Sequence, residues 1–507
     1  MSDISQNNKR IAKNTLVLYA RMLLLMVVSL YTSRVVLEAL GVNDFGIYNV
    51  VGGFVGMLGF FTSSLTNVSQ RYLNIGIGAG DRCLTIKYFK QCGTILFIFS
   101  ILTLIIGETI GLWFVMNKLV IPPERLNAVV WVYQFSLVSI FCSINQVNFL
   151  GAIVANEKMG FYAYLGLFEA FARLMIAFII INSPYDHLIL YASLTAFVSI
   201  IVLLLHIVYC KIKFDVCHFG FCWDKQLVRD MTKFISANLF GCFAWSAGVQ
   251  GTNVILNLFF GPVVNAAKGI STQVGSIVNR FTENVMTAVK PQMIKSYASG
   301  DTEYMLRLLM KSSKLAFFIS TIIAVPILIE ADYILQIWLK EVPDYAVVFS
   351  RIVIVESLAS VFINPLWIAA NATGNIKRNQ IYGRIFTLAS LPLSYISLRV
   401  IPNPILAVLI CALMQYLYWF YCIYDIKQQL ELNVTKYLNS VISPSVILFT
   451  TLISSGIILK KLLVAPDFIE FLGLSFILVC VGLLMSYLLM TAGERRVVIS
   501  FIIKNKR

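Results

Sequence analysis

Charge is scarce in this sequence of 507 residues. Only 13% of them are Asp, Glu, Lys or Arg, 59% are hydrophobic, and the mean hydropathy is +0.81. A soluble chain carries about 25% charged residues, so the composition excludes a soluble fold and points to a polytopic membrane protein. Acidic residues are scarcer still: 25 Asp and Glu face 40 Lys and Arg, a formal net charge of +15. The basic excess does not indicate a nucleic-acid partner. It is dispersed over many short loops, the pattern of connections retained on the cytoplasmic side of a membrane. P-loop, dinucleotide-binding glycine and His-Glu-x-x-His motifs are all missing, which argues against ATP hydrolysis by this chain and leaves coupling to an ion gradient. The ten cysteines are scattered. The one cluster, Cys217-His218 with Cys222, lacks the paired spacing of a zinc site, and no metal is expected.

What is abundant is apolar length, enough for about fourteen spans of roughly 20 residues. Hydrophobic windows predict helices near 14–38, 46–70, 91–115, 127–150, 161–182, 188–210, 234–258, 263–289, 314–337, 346–370, 380–399, 404–425, 438–459 and 469–492. Lys9, Arg10 and Lys13 precede the first run, which is long and lacks a small-residue cleavage site, so it reads as an uncleaved span. An even number of spans places both termini on one side. Alternating the loops from a cytoplasmic N-terminus leaves most Lys and Arg inside, with Lys118, Arg125, Lys340, Arg399, Lys460 and Lys461 outside. The outside loops are short, and their charges, such as Asp44, Glu124 and Asp344, look scattered. Basic stretches at Asp81–Lys90, Trp223–Lys233 and Asp301–Lys314 read as amphipathic surface helices. The resulting division is 1–210 as a first lobe, 211–232 as a cytoplasmic amphipathic linker, 233–426 as a second lobe, and 427–507 as two further spans with a basic tail.

An internal repeat emerges when 13–81 is laid on 233–301 without gaps. Lys13 meets Lys233, Thr32 meets Thr252, Gly41 meets Gly261, Phe61-Thr62 meets Phe281-Thr282, and Gly80-Asp81 meets Gly300-Asp301. Identities are few, but the order of features matches throughout. Six spans separate the copies, so both keep one orientation, with a cargo site expected at the interface of two related lobes.

Four of the cations inside predicted spans stand out: Arg21 and Arg34 in the first, Lys268 and Arg280 in the window 263–289. A charge at bilayer depth costs about 2.5–3.5 kcal/mol even on lenient insertion scales, so each should face a partner or a hydrated cavity. At about 1.5 Å per residue, Arg21 and Arg280 fall toward the inside and Lys268 and Arg34 toward the outside. The expectation is an inner and an outer pair that bind an anionic lipid-linked cargo in turn, as guanidinium forks suit phosphate. Against this, Arg34 has Glu38 four residues on and Arg280 has Glu283 three residues on, while Glu169 and Arg173 form a third local pair. Arg21 and Arg34 also leave an ideal helix about 220° apart, with no Gly or Pro between them to bend it. Glu38, Glu108, Glu169, Glu283, Glu330 and Glu356 are the candidate carriers of a coupling proton or sodium ion. Asn257, Asn265, Gln273 and Asn279 are candidate sugar contacts or helix-packing groups.

The opening Asn14-Thr15-Leu16, then Ser33-Arg34-Val35-Val36, then Leu40-Gly41-Val42-Asn43-Asp44-Phe45-Gly46-Ile47-Tyr48 resembles that of Wzx-type polysaccharide flippases. These are the O-antigen and capsule translocases of the multidrug/oligosaccharidyl-lipid/polysaccharide (MOP) exporter superfamily. The stretch from Phe260-Gly261-Pro262 to Ala298-Ser299-Gly300-Asp301 is similar to the matching second-lobe segment. The resemblance implies an all-α membrane protein with two six-helix lobes forming a V around a central cavity, plus two C-terminal helices. It implies flipping of an undecaprenyl-diphosphate-linked oligosaccharide across the bacterial inner membrane for lipopolysaccharide or capsule synthesis. The partners implied are that lipid, the bilayer and the polysaccharide polymerase machinery, with no cofactor beyond an ion gradient. Neighbouring readings are a lipid II flippase and a drug/cation antiporter of the same superfamily. An enzyme, either a membrane polysaccharide polymerase or a glycosyltransferase, is disfavoured because the short outside loops lack a catalytic cluster.

Overall fold

A computed structural model describes residues 2–60, 62–156, 158–218, 220–375, 378–462, 468–491 and 494–495. Every regular element among them is helical: α1 (Ser2–Met57), α2 (Thr62–Gly78), α3 (Arg82–Ile106), α4 (Leu112–Asn117), α5 (Leu126–Ala155), α6 (Met159–Ile181), α7 (His187–Lys213), α8 (Lys225–Phe260) and α9 (Pro262–Ala298). They are followed by α10 (Thr302–Ile329), α11 (Ala331–Trp338), α12 (Ala346–Thr373), α13 (Arg384–Val400), α14 (Pro404–Leu430), α15 (Val434–Tyr437), α16 (Ser443–Leu462) and α17 (Phe468–Leu489). Eleven described helices are long and apolar enough to cross a membrane. The other three expected windows are helical too, for different reasons. Window 46–70 is shared between the end of α1 and α2, window 263–289 lies in the more polar α9, and window 380–399 falls on the shorter α13.

The chain forms two compact units, residues 1–269 with 338–344, and residues 270–337 with 345–507. In the first, α5 packs on α1, α2, α3 and α7, while α6 packs on α1 and α7 and α8 on α1 and α2. Its core is stitched by Asn148, which is 3% exposed. The Asn148 amide donates to the Phe89 carbonyl at 3.0 Å and its oxygen accepts from Ser69 at 2.8 Å, so one side chain joins α2, α3 and α5. Leu65, Val68, Ile95, Leu96, Ile144 and Val147 fill the space around it. In the second unit α12 packs on α10 and α14, α14 on α13, and α16 and α17 on α10.

The repeat register holds at the level of backbone angles. Gly41 (φ 72°, ψ 170°) and Gly261 (φ 75°, ψ −169°) adopt the same conformation, one closed to L side chains, and each ends a helix. Gly80 and Gly300 also share positive φ, 65° and 82°. The aspartates that follow them act alike: Asp81 accepts from the Leu84 amide and Asp301 from the Tyr304 amide, both at 2.9 Å, satisfying amides at a helix start. Thr32 and Thr252 each donate back to the carbonyl four residues earlier. The copies part between these landmarks. Residues 58–60 form a turn with i→i−3 bonds, whereas α9 continues through the equivalent stretch. Gly56 and Gly59 in the first copy stand where the second has Ser276 and Asn279, and glycine is about 1 kcal/mol poorer in a helix than alanine.

The three expected surface helices are corrected. Asp81, Asp224 and Asp301 each cap a long helix that runs on without a break, so the basic stretches are the first turns of α3, α8 and α10. Their amphipathic pattern is that of a helix emerging from a membrane rather than lying on it. Because Gly41 and Gly261 occupy one backbone conformation, Gly41→Ala and Gly261→Ala are each expected to destabilise the protein by about 1–3 kcal/mol. Thermal unfolding of the purified variants in detergent checks this; a wild-type midpoint in both overturns the strain argument.

Candidate functional site

The two glycine turns meet at one end of the first unit. A side chain added at Gly46 would collide with the Pro262 carbonyl, so α1 and the start of α9 touch through their backbones. A few residues further on, Gly269 lies against Asn49, with 2.8 Å between its would-be Cβ and the amide oxygen. Asn49 and Gly269 are equivalent positions of the repeat, and contact between equivalents is what a pseudo-twofold axis produces. Lys268 immediately precedes this contact. It is 8% exposed, and Arg34 is half-buried. Both lie about 10 Å along their helices from a glycine turn, so the expected outer pair occupies one depth of the first unit.

Outward of that level, the same end is tied by charge. Arg125, at the start of α5, donates from Nε to Asp44 at 2.9 Å and from a terminal nitrogen to Asp186 at 2.6 Å, and its other terminal nitrogen pairs with Asp44. Asp186 accepts in addition from the Leu188 and Ile189 amides at the start of α7. His187 Nδ1 lies 2.8 Å from the Ala39 carbonyl. Segment 338–344, joined at both ends to the second unit, packs here as well: Lys340 pairs with Glu38, and the Trp338 indole donates to the Leu30 carbonyl at 2.8 Å. Asp44 was expected to be a scattered loop charge and Arg125 an outside loop cation; Asp186 carried no expectation. Together they form a three-residue knot across three connections, a grouping with no sequence signal because its members lie up to 142 positions apart.

The remaining expected residues divide as follows. The Arg21 side chain lies outside the described residues. Its backbone belongs to a helix unbroken up to Gly41, so the angular separation of about 220° from Arg34 persists. Arg280 is half-buried and Glu283 exposed, both in the second unit. Glu169 and Arg173 pair at 2.8 Å as their spacing predicts. Glu38 is held by Lys340, and Glu330 lies 3.3 Å from Lys460. Glu108 sits in a widened helical turn, Gly107–Gly111, and accepts from Gln134 at 3.1 Å. Asn257 is a packing group, bonded to both the amide and the carbonyl of Val120. Asn265 donates to the Asn253 carbonyl at 2.7 Å, while its own oxygen and that of Gln273 are buried without a protein hydrogen-bond partner. Missed entirely was Asp425, a fully buried carboxylate 3.2 Å from Arg378 Nε that also accepts from Gln429. At the end of a span, beside Tyr424, Ile426 and Lys427, it carries no sequence mark of burial.

Asp186 makes the knot sensitive to acid. Burial acts to raise its pKa, but the Arg125 hydrogen bond and the Ile189 and Leu188 amides outweigh it, and the carboxyl titrates below its ordinary 3.8. The stabilisation is complete above that value and is lost as pH falls through the depressed folded pKa. Thermal unfolding in detergent, followed from about pH 7 to about pH 3, should show this loss. Asp186→Asn should be less stable at neutral pH and should flatten the acid limb; an unchanged limb rejects the assignment.

No family model and no curated protein matches the chain. Solved structures do. An inward-facing multidrug-resistance MATE-family transporter of the MOP superfamily aligns with a TM-score of 0.68 at 13% identity, covering 80% of this chain and 94% of that one. The lipid II flippase MurJ in an inward closed conformation aligns at 0.65 and 12%, covering 95% of this chain and 100% of its own. An outward-facing MATE-family transporter aligns at 0.59 and 13%, covering 81% and 93%. At these identities the likeness shows the fold alone: the chain shares the multi-span, all-helical fold of these transporters.

Proposed function

We propose that the chain is a flippase that moves an undecaprenyl-diphosphate-linked oligosaccharide from the cytoplasmic to the outer leaflet of the bacterial inner membrane, for surface polysaccharide synthesis. The observation that carries this reading is Lys268, a cation 8% exposed on α9, a helix more polar than the spans around it. Taking an ammonium out of water is expensive, and an anionic cargo is a reason to retain one in a transporter fold. Lys268 and Arg34, at one depth of the first unit, form the outer phosphate position, and Arg21 and Arg280, each within its own unit, are the candidate inner cations. A planar guanidinium binds phosphate oxygens through paired, charge-assisted hydrogen bonds. Coupling runs through a proton or sodium gradient, with Glu108 the least restrained of the candidate carriers. Both termini lie in the cytoplasm, in keeping with the basic loops on that side.

A lipid II flippase is the second reading, favoured by one observation. MurJ aligns with 95% of this chain where the inward-facing MATE transporter aligns with 80%.

In cells that depend on this chain for surface polysaccharide, Lys268→Ala should abolish display at normal membrane abundance, and Lys268→Arg should retain most of it. Full display by Lys268→Ala at normal abundance overturns the phosphate role. A lipid extract from a strain lacking the chain separates the two readings. Accumulation of a diphosphate-linked oligosaccharide supports the first and accumulation of lipid II the second.

A further inference from the structure

Far from Lys268, at the Gly80 end of the first unit, two neighbouring hollows share His218. One, about 400 Å³, is lined by Arg82, Lys211, His218, Phe214, Asp215 and Cys217. The other, about 360 Å³, is a mainly apolar slot that includes Phe89, Leu96, Phe97 and Phe149, with Lys90 and His218 at its edge. The polar hollow is basic on balance, since Asp215 is the one carboxylate among its lining residues and lies 3.5 Å from Arg82.

The segment after α7 builds this site by crossing α3. Cys222 donates its amide to Thr94 Oγ1 at 3.1 Å, Asp224 donates its amide to Gln91 at 2.9 Å, and Lys87 pairs with Asp224 at 2.6 Å. The Lys90 side chain runs beside Gly220, where a Cβ would lie 3.1 Å from it. At the slot Phe221 is 76% exposed, its ring parallel to that of Trp223, which is 55% exposed. Exposed aromatic rings next to Lys and Arg at the ends of spans mark the level of lipid headgroups.

We infer that these joined hollows bind an anionic phospholipid of the surrounding membrane, with its phosphate held by Arg82, Lys211 and His218 and one acyl chain laid in the phenylalanine slot. The inference goes beyond the flippase proposal and uses from it only that this end faces the cytoplasmic leaflet, where basic pockets between helices meet anionic headgroups. A soluble phosphate would be served by the basic hollow alone and leaves the adjoining slot without a role. The lipid bound here is a resident of the first unit, separate from any cargo held at the depth of Lys268.

Native mass spectrometry of the intact protein, in neutral detergent with equal phosphatidylglycerol and phosphatidylcholine, tests this without reference to transport. The wild type should retain phosphatidylglycerol preferentially. Arg82→Gln and Lys211→Gln should each weaken retention about five-fold, and Phe221→Ser should weaken it while leaving the preference for negative charge. Arg82 and Phe221 are exposed, so these variants are expected to fold; wild-type unfolding temperatures confirm that. Equal retention of the two lipids by the wild type, or undiminished preference in the Arg82→Gln/Lys211→Gln double variant, overturns the proposal. So does displacement by glycerol phosphate as effective as by phosphatidylglycerol, which assigns the hollow to a soluble anion. Full surface display by Lys268→Ala with lipid retention intact would count against the flippase reading alone.

Discussion

Hydrocarbon offers the backbone no hydrogen-bond partner, and the glycine turns and capped starts of these helices answer that constraint. Where the chain must turn, the turn is compact and its exposed amides are answered locally. Gly41 and Gly261 reverse the path in a conformation that only glycine takes easily. Gly80-Asp81 and Gly300-Asp301 end one helix and cap the next within two residues. Hydroxyls inside the helices turn to the backbone as well: Thr32, Thr195 and Thr252 donate to carbonyls of their own helices. Charges obey the same logic, as in the Glu169–Arg173 pair within α6 and the pairing of buried Lys314 with Glu494 at 2.8 Å.

The first unit is therefore anchored differently at its two ends. The end that carries the glycine turns is closed by direct backbone contact, Gly46 on Pro262, and then by the double-carboxylate grip on Arg125. The Gly80 end is held by a strap of backbone amides donating to Thr94 and Gln91, with a basic hollow beside it. Lys268 and Arg34 lie inward of the tied end, at a level where the repeat brings its own equivalents, Asn49 and Gly269, into contact. A cation is costly to bury at that level, and the proposed outer phosphate position lies where the two copies of the repeat touch.

The fold was largely legible. Apolar windows located every long helix because a span must bury about twenty consecutive residues, a local property. The repeat was legible for a similar reason, since Gly41, Gly80 and their partners are set by φ at single positions. Amphipathic character misled at Asp81–Lys90 and Asp301–Lys314, because a helix crossing from water into lipid carries the same charged first turns as one lying on the surface. The site was half legible. The i, i+4 spacing gave Glu169–Arg173, but Glu38 has Arg34 equally near in sequence and pairs with Lys340, more than 300 residues away.

By itself, then, the sequence determined the helices, their turns and the two-copy register, because each depends on hydrophobic length or on one residue's allowed backbone angles. Which charge meets which was decided by tertiary structure alone. Asp44, Arg125 and Asp186 become one knot, and Arg82, Lys211 and His218 one hollow, only when helices distant in the chain are packed side by side. Electrostatic partnership depends on distance in space, and spacing along the chain encodes that distance only within a single helix.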